Sequence, residues 1–345
     1  MKENKVKNRS YTGCYVVAEV SANHNQKLER AEEIIRAAAE AGADAVKLQT
    51  YTADTLTIPC DNEYFRIKKT IWEGRTLYDL YQEAYTPWEW HRPLQKLAQQ
   101  LNIDFFSTPF DFTAVDFLEK LNVPFYKVAS FEVLDIPLLN KIASTGKPVI
   151  MSTGMASLAE IYEAVKALRQ GGAGPLTLLK CTSSYPAPPE EANLRTIPAL
   201  AKIFHCDSGL SDHTIGSANA IAAVALGATV IEKHFTLSRA DGGPDGSFSM
   251  EPSEFKQMVQ DVRTVEKALG KISFELTDKE RDSRVLRRSL FVVEDIKAGE
   301  ELKSSNVRSI RPGYGLPPKY LPEVLGCKAL EDIPKGTPLS WNLFK

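Results

Sequence analysis

Gly209-Leu-Ser-Asp-His213 and Val230-Ile-Glu-Lys-His234 are two short runs that each close on a histidine, separated by the alanine-rich stretch 216–226. The runs read as buried strands and the stretch between them as one helix. A strand–helix–strand unit sets two parallel strands side by side, or nearly so, with their carboxyl ends on one face. His213 and His234 are thus expected to converge where two imidazoles can share a divalent metal and leave positions open to water or substrate. Taken alone, two strand-end histidines are equally well read as unrelated polar residues. Six further strand-like runs that also end in polar side chains shift the balance.

Those runs are 15–20, 45–50, 104–109, 125–130, 148–153 and 176–182, which join 208–212 and 230–235. Helical patterns alternate with them, at 28–41, 87–101, 113–121, 136–144 and 158–169. Eight such units over some 250 residues predict an α/β fold, a (β/α)8 TIM barrel. An open doubly wound sheet is the alternative, but no Gly-x-Gly-x-x-Gly follows the first strand. Residues 51–74 break the rhythm with a long connection, read as a lid or substrate wall without a helix before Arg75.

After Lys271 the pattern changes. Glu294-Asp-Ile-Lys-Ala-Gly-Glu-Glu-Leu302 recurs as Glu331-Asp-Ile-Pro-Lys-Gly-Thr-Pro-Leu339, with the turn-rich Arg311-Pro-Gly-Tyr-Gly-Leu-Pro-Pro318 between the copies. The expected organisation is a catalytic barrel over 1–276, a polar linker over 277–284 and a small domain of strands and turns over 285–345.

The 345 residues are 43% apolar and 25% charged, with a formal net charge of −2. That balance gives no electrostatic reason to expect nucleic acid or an anionic membrane as partner. The basic start, residues 1–9, has no apolar stretch behind it and is not read as a signal peptide. Five cysteines, odd in number and without a Cys-x-x-Cys pair, predict a reduced cytoplasmic chain. Cys181 and Cys206 are read as small buried hydrophobes.

In a barrel the strand ends form one catalytic surface. Here they carry Glu19; Lys47 and Gln49; Ser107 and Thr108; Lys127, Ser130 and Glu132; Ser152; Thr182, Ser183 and Tyr185; Ser211 and His213; and Glu232 and His234. Lysines with hydroxyl neighbours replace the hydration of a phosphate or carboxylate. A carboxylate beside a metal site can move protons. Each residue alone is ordinarily a cap or a salt-bridge partner. Together they point to a metal enzyme acting on a small anion.

The set Ala18-Glu-Val-Ser-Ala-Asn-His-Asn25, Lys47-Leu-Gln-Thr50, Ser107-Thr-Pro109, Lys127-Val-Ala-Ser130, Gly209-Leu-Ser-Asp-His-Thr214, Glu232-Lys-His-Phe-Thr236 and Gly243-Pro-Asp245 resembles the sialic acid synthase family, from about residue 15 to the end. The resemblance implies that the terminal domain is antifreeze-like (SAF-type). It also implies condensation of phosphoenolpyruvate with an N-acetylated amino sugar, yielding a nine-carbon 2-keto acid and phosphate. Glu19-Val-Ser-Ala-Asn-His24, Trp72-Glu-Gly-Arg-Thr-Leu-Tyr-Asp-Leu-Tyr81 and Gly243-Pro-Asp-Gly-Ser-Phe-Ser-Met250 look like the branch that makes pseudaminic acid. Its acceptor is a 6-deoxy-2,4-diacetamido sugar, for which Trp72 or Phe248 is the expected apolar wall. N-acetylneuraminate or legionaminic acid synthesis is the alternative within the family.

By the same resemblance His213 and His234 hold Mn2+, Mg2+ or Co2+. Lys47, Thr108, Lys127, Ser130, Ser152, Ser183 and Ser211 match positions around phosphoenolpyruvate, although the family often has Asn at Ser183. Glu19 is implied in proton transfer or sugar positioning, Glu132 in orienting water, and Gln49, Tyr185 and Asp245 in substrate binding. Arg311 matches an arginine that a second chain inserts over the site, implying a domain-swapped homodimer. His24 lies beside the site, and His91 and His205 are read as structural. Two rivals are a non-catalytic glycan-binding protein built on the same barrel and a metal-dependent aldolase using pyruvate. The lysines, the histidines and Glu19 together speak against the first, since a mere binder needs no metal beside an anion pocket.

Overall fold

The computed structural model describes residues 13–345. The basic segment 1–9 lies outside them. The chain divides into two units, one ending at Gly270 and one beginning at Lys271.

The first unit is built on eight parallel strands: β1 (Tyr15–Glu19), β2 (Ala45–Thr50), β3 (Asp104–Pro109), β4 (Tyr126–Val128), β5 (Val149–Ser152), β6 (Leu176–Cys181), β7 (Asp207–Asp212) and β8 (Val230–His234). Their order is β3-β2-β1-β8-β7-β6-β5-β4, and β1 pairs with β8, which curls the sheet round. At the seam β3 and β4 touch, and no ladder joins them among the described residues. Phe106 and Phe125 fill that seam with ring centroids 4.4 Å apart. This is the nearly closed TIM barrel that the alternating pattern predicts.

Alternation along each strand explains both the core and the site. Every second side chain faces the barrel axis. Low in the barrel these are Tyr15, Val17, Ala45, Phe106, Phe125, Ile150, Leu179 and Val230, all buried in one apolar cluster. Two residues further along, the inward series becomes Glu19, Lys47, Thr108, Lys127, Ser152, Cys181, Ser211 and Glu232. The switch from oil to charge occurs at one level of the barrel.

Outside, amphipathic helices cover the strands. Pro252–Leu269 starts with proline in its first turn and a reciprocal Glu251–Glu254 cap, and buries Phe255, Met258, Val259 and Val262 at helical spacing. The connection after β2 departs from the helix-free reading. Thr52 and Thr55 cap each other to form a one-turn helix, Ala53–Leu56, whereas the helix Leu77–Ala84, which Thr76 caps by accepting from Asp79 N, follows Arg75 as expected. β4 is shorter than 125–130 because Ser130–Glu132 turns into a 3₁₀ segment.

In the second unit, the antiparallel strands β9 (Ser289–Val292) and β10 (Val307–Ile310) pack on a small core that includes Leu290, Val292, Leu302 and Val324. The two repeats pair with each other. Ile296 and Ile333 exchange backbone hydrogen bonds of 3.0 and 2.8 Å. Asp295 accepts from Lys335 N at 2.8 Å, and Asp332 accepts from Ala298 N at 2.9 Å, so each copy caps the other's turn. No helix among the described residues is long and apolar enough to cross a membrane.

Candidate active site

The inward side chains at the carboxyl ends form a compact charged cluster. Lys47 Nζ lies 2.6 Å from Glu19 Oε2 and 3.6 Å from Glu232 Oε1, and donates to Thr108 Oγ1 at 3.2 Å. Lys127 Nζ lies 3.7 Å from the same Glu232 oxygen and donates to Ser152 Oγ at 2.7 Å. Ser211 Oγ donates to Glu232 Oε1 at 3.3 Å, which leaves the buried Glu232 Oε2 without a hydrogen bond. Two lysines and two glutamates thus share one desolvated space. Burial acts to raise the Glu232 carboxyl, but Lys127 and Lys47 hold it below its ordinary range. Burial raises the Glu19 carboxyl, with Lys47 pulling the other way, and lowers Lys127, with Glu232 pulling the other way.

Beside β5, Ser130 Oγ accepts from Gly154 N at 3.0 Å. A Cβ at Gly154 would collide with the hydroxyls of Ser183 and Ser130, so glycine is what lets these two approach. Cys181, read as a buried hydrophobe, instead faces inward with its sulfur 3.8 Å from both Ser183 Oγ and His213 Nδ1.

His213 and His234 do converge, with ring centroids 5.3 Å apart. His213 Nδ1 meets the Thr182 carbonyl at 2.9 Å, which leaves Nε2 as its outward atom. Burial, then the neighbouring His213, pushes the His234 pKa well down, keeping that ring in the neutral form that binds metals. His213 is raised despite burial, by Cys181, the Thr182 carbonyl and Glu232. His234 Nδ1 is buried and makes no hydrogen bond. The pair therefore fits a divalent ion. No cluster of three or more His, Cys, Asp or Glu suited to a metal occurs among the described residues.

A cavity of about 380 Å³ opens above, walled on its polar side by Gln49, Glu132, Tyr185, His234 and Asp245. Gln49 Nε2 donates to Glu19 Oε1 at 3.0 Å and to Ser21 Oγ at 3.2 Å, and Ser21 in turn donates to Asp245. Burial raises the Glu132 pKa to about 7, with Lys127 pulling the other way. Tyr185 lies over His213, centroids 4.4 Å apart. The apolar side comes largely from the connection after β2, with Leu56, Ile67, Trp72, Leu77 and Leu80. Trp72 Nε1 donates to the Pro244 carbonyl at 2.8 Å, tying that connection to the loop that carries Asp245. Phe248, the other expected wall, is buried against His234 at 4.9 Å and does not line the cavity.

Arg311 sits in the second unit, exposed, directly after β10. Of the other histidines, His24 has both nitrogens engaged, by Thr86 Oγ1 at 3.2 Å and Gln26 N at 3.1 Å. His91 meets Thr50 Oγ1 at 2.8 Å, and His205 ends a helix in left-handed conformation. Glu232 is on the strand-end surface in the sequence reading, which gives it no role in the site. Its signal was available: it lies two residues before His234 on a strand, hence on the same inward face.

The NeuB family profile matches residues 34–274 and the SAF domain profile residues 287–345. The chain belongs to the NeuB family. Among its relatives, the pseudaminic acid synthase of Helicobacter pylori is 46% identical over 326 residues, covering 94% of this chain and 96% of that protein. The pseudaminic acid synthase of Campylobacter jejuni is 44% identical, with 96% of each covered. A crystal structure of the N-acetylneuraminic acid synthetase of Leptospira borgpetersenii, in complex with citrate, superposes with a TM-score of 0.70 at 33% identity, over 79% of this chain and 90% of that one.

Proposed function

We propose that this NeuB-family chain is a pseudaminic acid synthase, condensing phosphoenolpyruvate and water with 2,4-diacetamido-2,4,6-trideoxy-L-altropyranose to give pseudaminic acid and phosphate. The observation that carries the reading is the pair of buried lysines, set among hydroxyls, beside two converging imidazoles at the carboxyl end of the barrel. Lys47 and Lys127 take the carboxylate and phosphate, with Thr108, Ser130, Ser152, Ser183 and Ser211 supplying neutral donors. As the anion enters, it replaces Glu19 and Glu232 as partner of the ammonium groups.

His213 and His234 would hold the divalent ion (Mn2+, Mg2+ or Co2+), which when bound makes the acceptor's carbonyl carbon electrophilic. Carbon 3 of the enol forms the new bond to that carbon, water adds at C2, and phosphate leaves with the bridging oxygen. Glu132 accepts the proton of that water, since its carboxyl titrates where such exchange is easy. Glu19 carries the proton for the sugar's carbonyl oxygen, and Gln49, Tyr185 and Asp245 orient the sugar. The apolar wall of Leu56, Ile67, Trp72, Leu77 and Leu80 supports an acceptor with a methyl group and two acetamido methyls.

The partner's Arg311 completes the site in a domain-swapped homodimer, where a guanidinium fork suits an amide or hydroxyl of the sugar. The five cysteines are all free, which supports a cytoplasmic setting. Phosphoenolpyruvate labelled with 18O at its bridging position tests the bond cleavage. The label is expected in inorganic phosphate. Label retained in the keto acid would contradict the reaction.

A further inference from the structure

One buried ion pair stands outside the pocket. Asp212 precedes His213 and Lys233 precedes His234, so alternation turns both away from the barrel axis. They are cross-strand partners in the β7–β8 register. Lys233 Nζ lies 2.6 Å from Asp212 Oδ2, with the side chains 1% and 2% exposed. The same ammonium donates to the Thr214 carbonyl at 2.5 Å. Asp212 Oδ1 accepts from Thr214 N at 3.0 Å and from Thr214 Oγ1 at 2.8 Å.

The consequence is topological. Asp212 and Thr214 flank His213 in the chain, and both are bonded to the residue just before His234. The His213 carbonyl is held separately, accepting from Ala187 N at 3.0 Å. None of Asp212, Thr214 and Lys233 lines the cavity. A buried pair of opposite charges contributes little net stability compared with apolar residues of the same size, so its effect is to be sought in geometry.

We propose that Asp212 and Lys233 are positioning residues, a strap behind the sheet that fixes the backbone on both sides of His213 relative to His234 and thereby sets the affinity of the metal site. A two-ligand site is sensitive to such a device, because no third side chain corrects an error in the first two. The strap acts through the histidines and touches neither substrate nor ion. The inference rests on His213 and His234 being metal ligands, as proposed above.

Asp212→Asn/Lys233→Met in the full chain removes both charges together and leaves no lone buried ion. The metal-free variant is expected to melt close to the wild-type temperature. Its affinity for Mn2+, followed by the loss of the free-ion EPR signal and without any substrate, is expected to fall about ten- to a hundredfold. The near-isosteric Asp212→Asn alone keeps one acceptor oxygen for Thr214 while losing the bond to Lys233, and is the second variant, to be used if the first does not fold; weaker Mn2+ binding is expected there too. Wild-type Mn2+ affinity in a folded variant would overturn the strap. Wild-type protein that binds no Mn2+, or binds it no better than His234→Gln, would overturn the metal reading itself, and the strap with it.

Discussion

Glu232 and Lys233 are neighbours on β8, both buried, and they belong to opposite kinds of ionic structure. Glu232 faces the axis, between two lysines at 3.6 and 3.7 Å, with one oxygen unbonded. Lys233 faces outward and is paired to a carboxylate and a carbonyl at 2.6 and 2.5 Å. The contacts of Glu232 are long and incompletely satisfied, so an arriving anion can replace them. The outer one is short, buried and turned away from the cavity. Residue type does not distinguish a binding site from a brace; the face of the strand does.

Breaking each group should therefore show in a different quantity. Lys233→Met strands the Asp212 carboxylate without its partner and should cost about 3–5 kcal/mol of folding stability. Denaturant melts of the metal-free protein measure this, and a loss no larger than that of a surface substitution would count against the closed network. Lys127→Ala should weaken phosphoenolpyruvate binding by about 2–5 kcal/mol. It should do so with less effect on stability, because Glu232, at 3.7 Å from Lys127, keeps Lys47 as a second cationic neighbour. An unchanged Michaelis constant for phosphoenolpyruvate would place Lys127 outside the anion site.

A third test separates Glu132 from the lysine cluster by its titration. Burial pushes its pKa up to about 7, so below that pH it holds its proton and cannot accept another. Turnover should rise as pH increases through about 7, and Glu132→Gln should flatten that limb and lower the rate. A limb that survives in Glu132→Gln belongs to another group. The smallest expected effect is partial rescue between subunits. Inactive Arg311→Ala chains mixed with inactive Glu19→Ala chains should regain part of the activity, since mixed dimers hold one site with both residues intact. No recovery after confirmed subunit exchange would confine Arg311 to its own chain or remove it from catalysis.

Much of this was legible before any coordinates. The strand-end histidines, the lysines and the serines fall on inward positions because strand period two is strict, and β2 and β3 follow their predicted bounds. The terminal repeat was visible as well, though that its copies pair with each other was not. What sequence could not supply was depth. Strand alternation puts Glu232 and Lys233 on different faces, but only register and burial show what each one meets. Phe248 read as a pocket wall, but a tight turn buries it behind His234. The short helix Ala53–Leu56 was missed because its signal is a reciprocal threonine cap rather than an apolar period.

The central claim is that the two-lysine, two-histidine site joins phosphoenolpyruvate to a deoxy diacetamido sugar. Phosphate release, measured with phosphoenolpyruvate, a panel of amino sugars and added or chelated metal, tests it most directly. Release should require phosphoenolpyruvate, sugar and metal together, should cease in excess chelator and return with Mn2+ or Co2+, and should be fastest with 2,4-diacetamido-2,4,6-trideoxy-L-altropyranose. Full activity in excess chelator, or faster release with N-acetylmannosamine than with the deoxy sugar, would contradict the account.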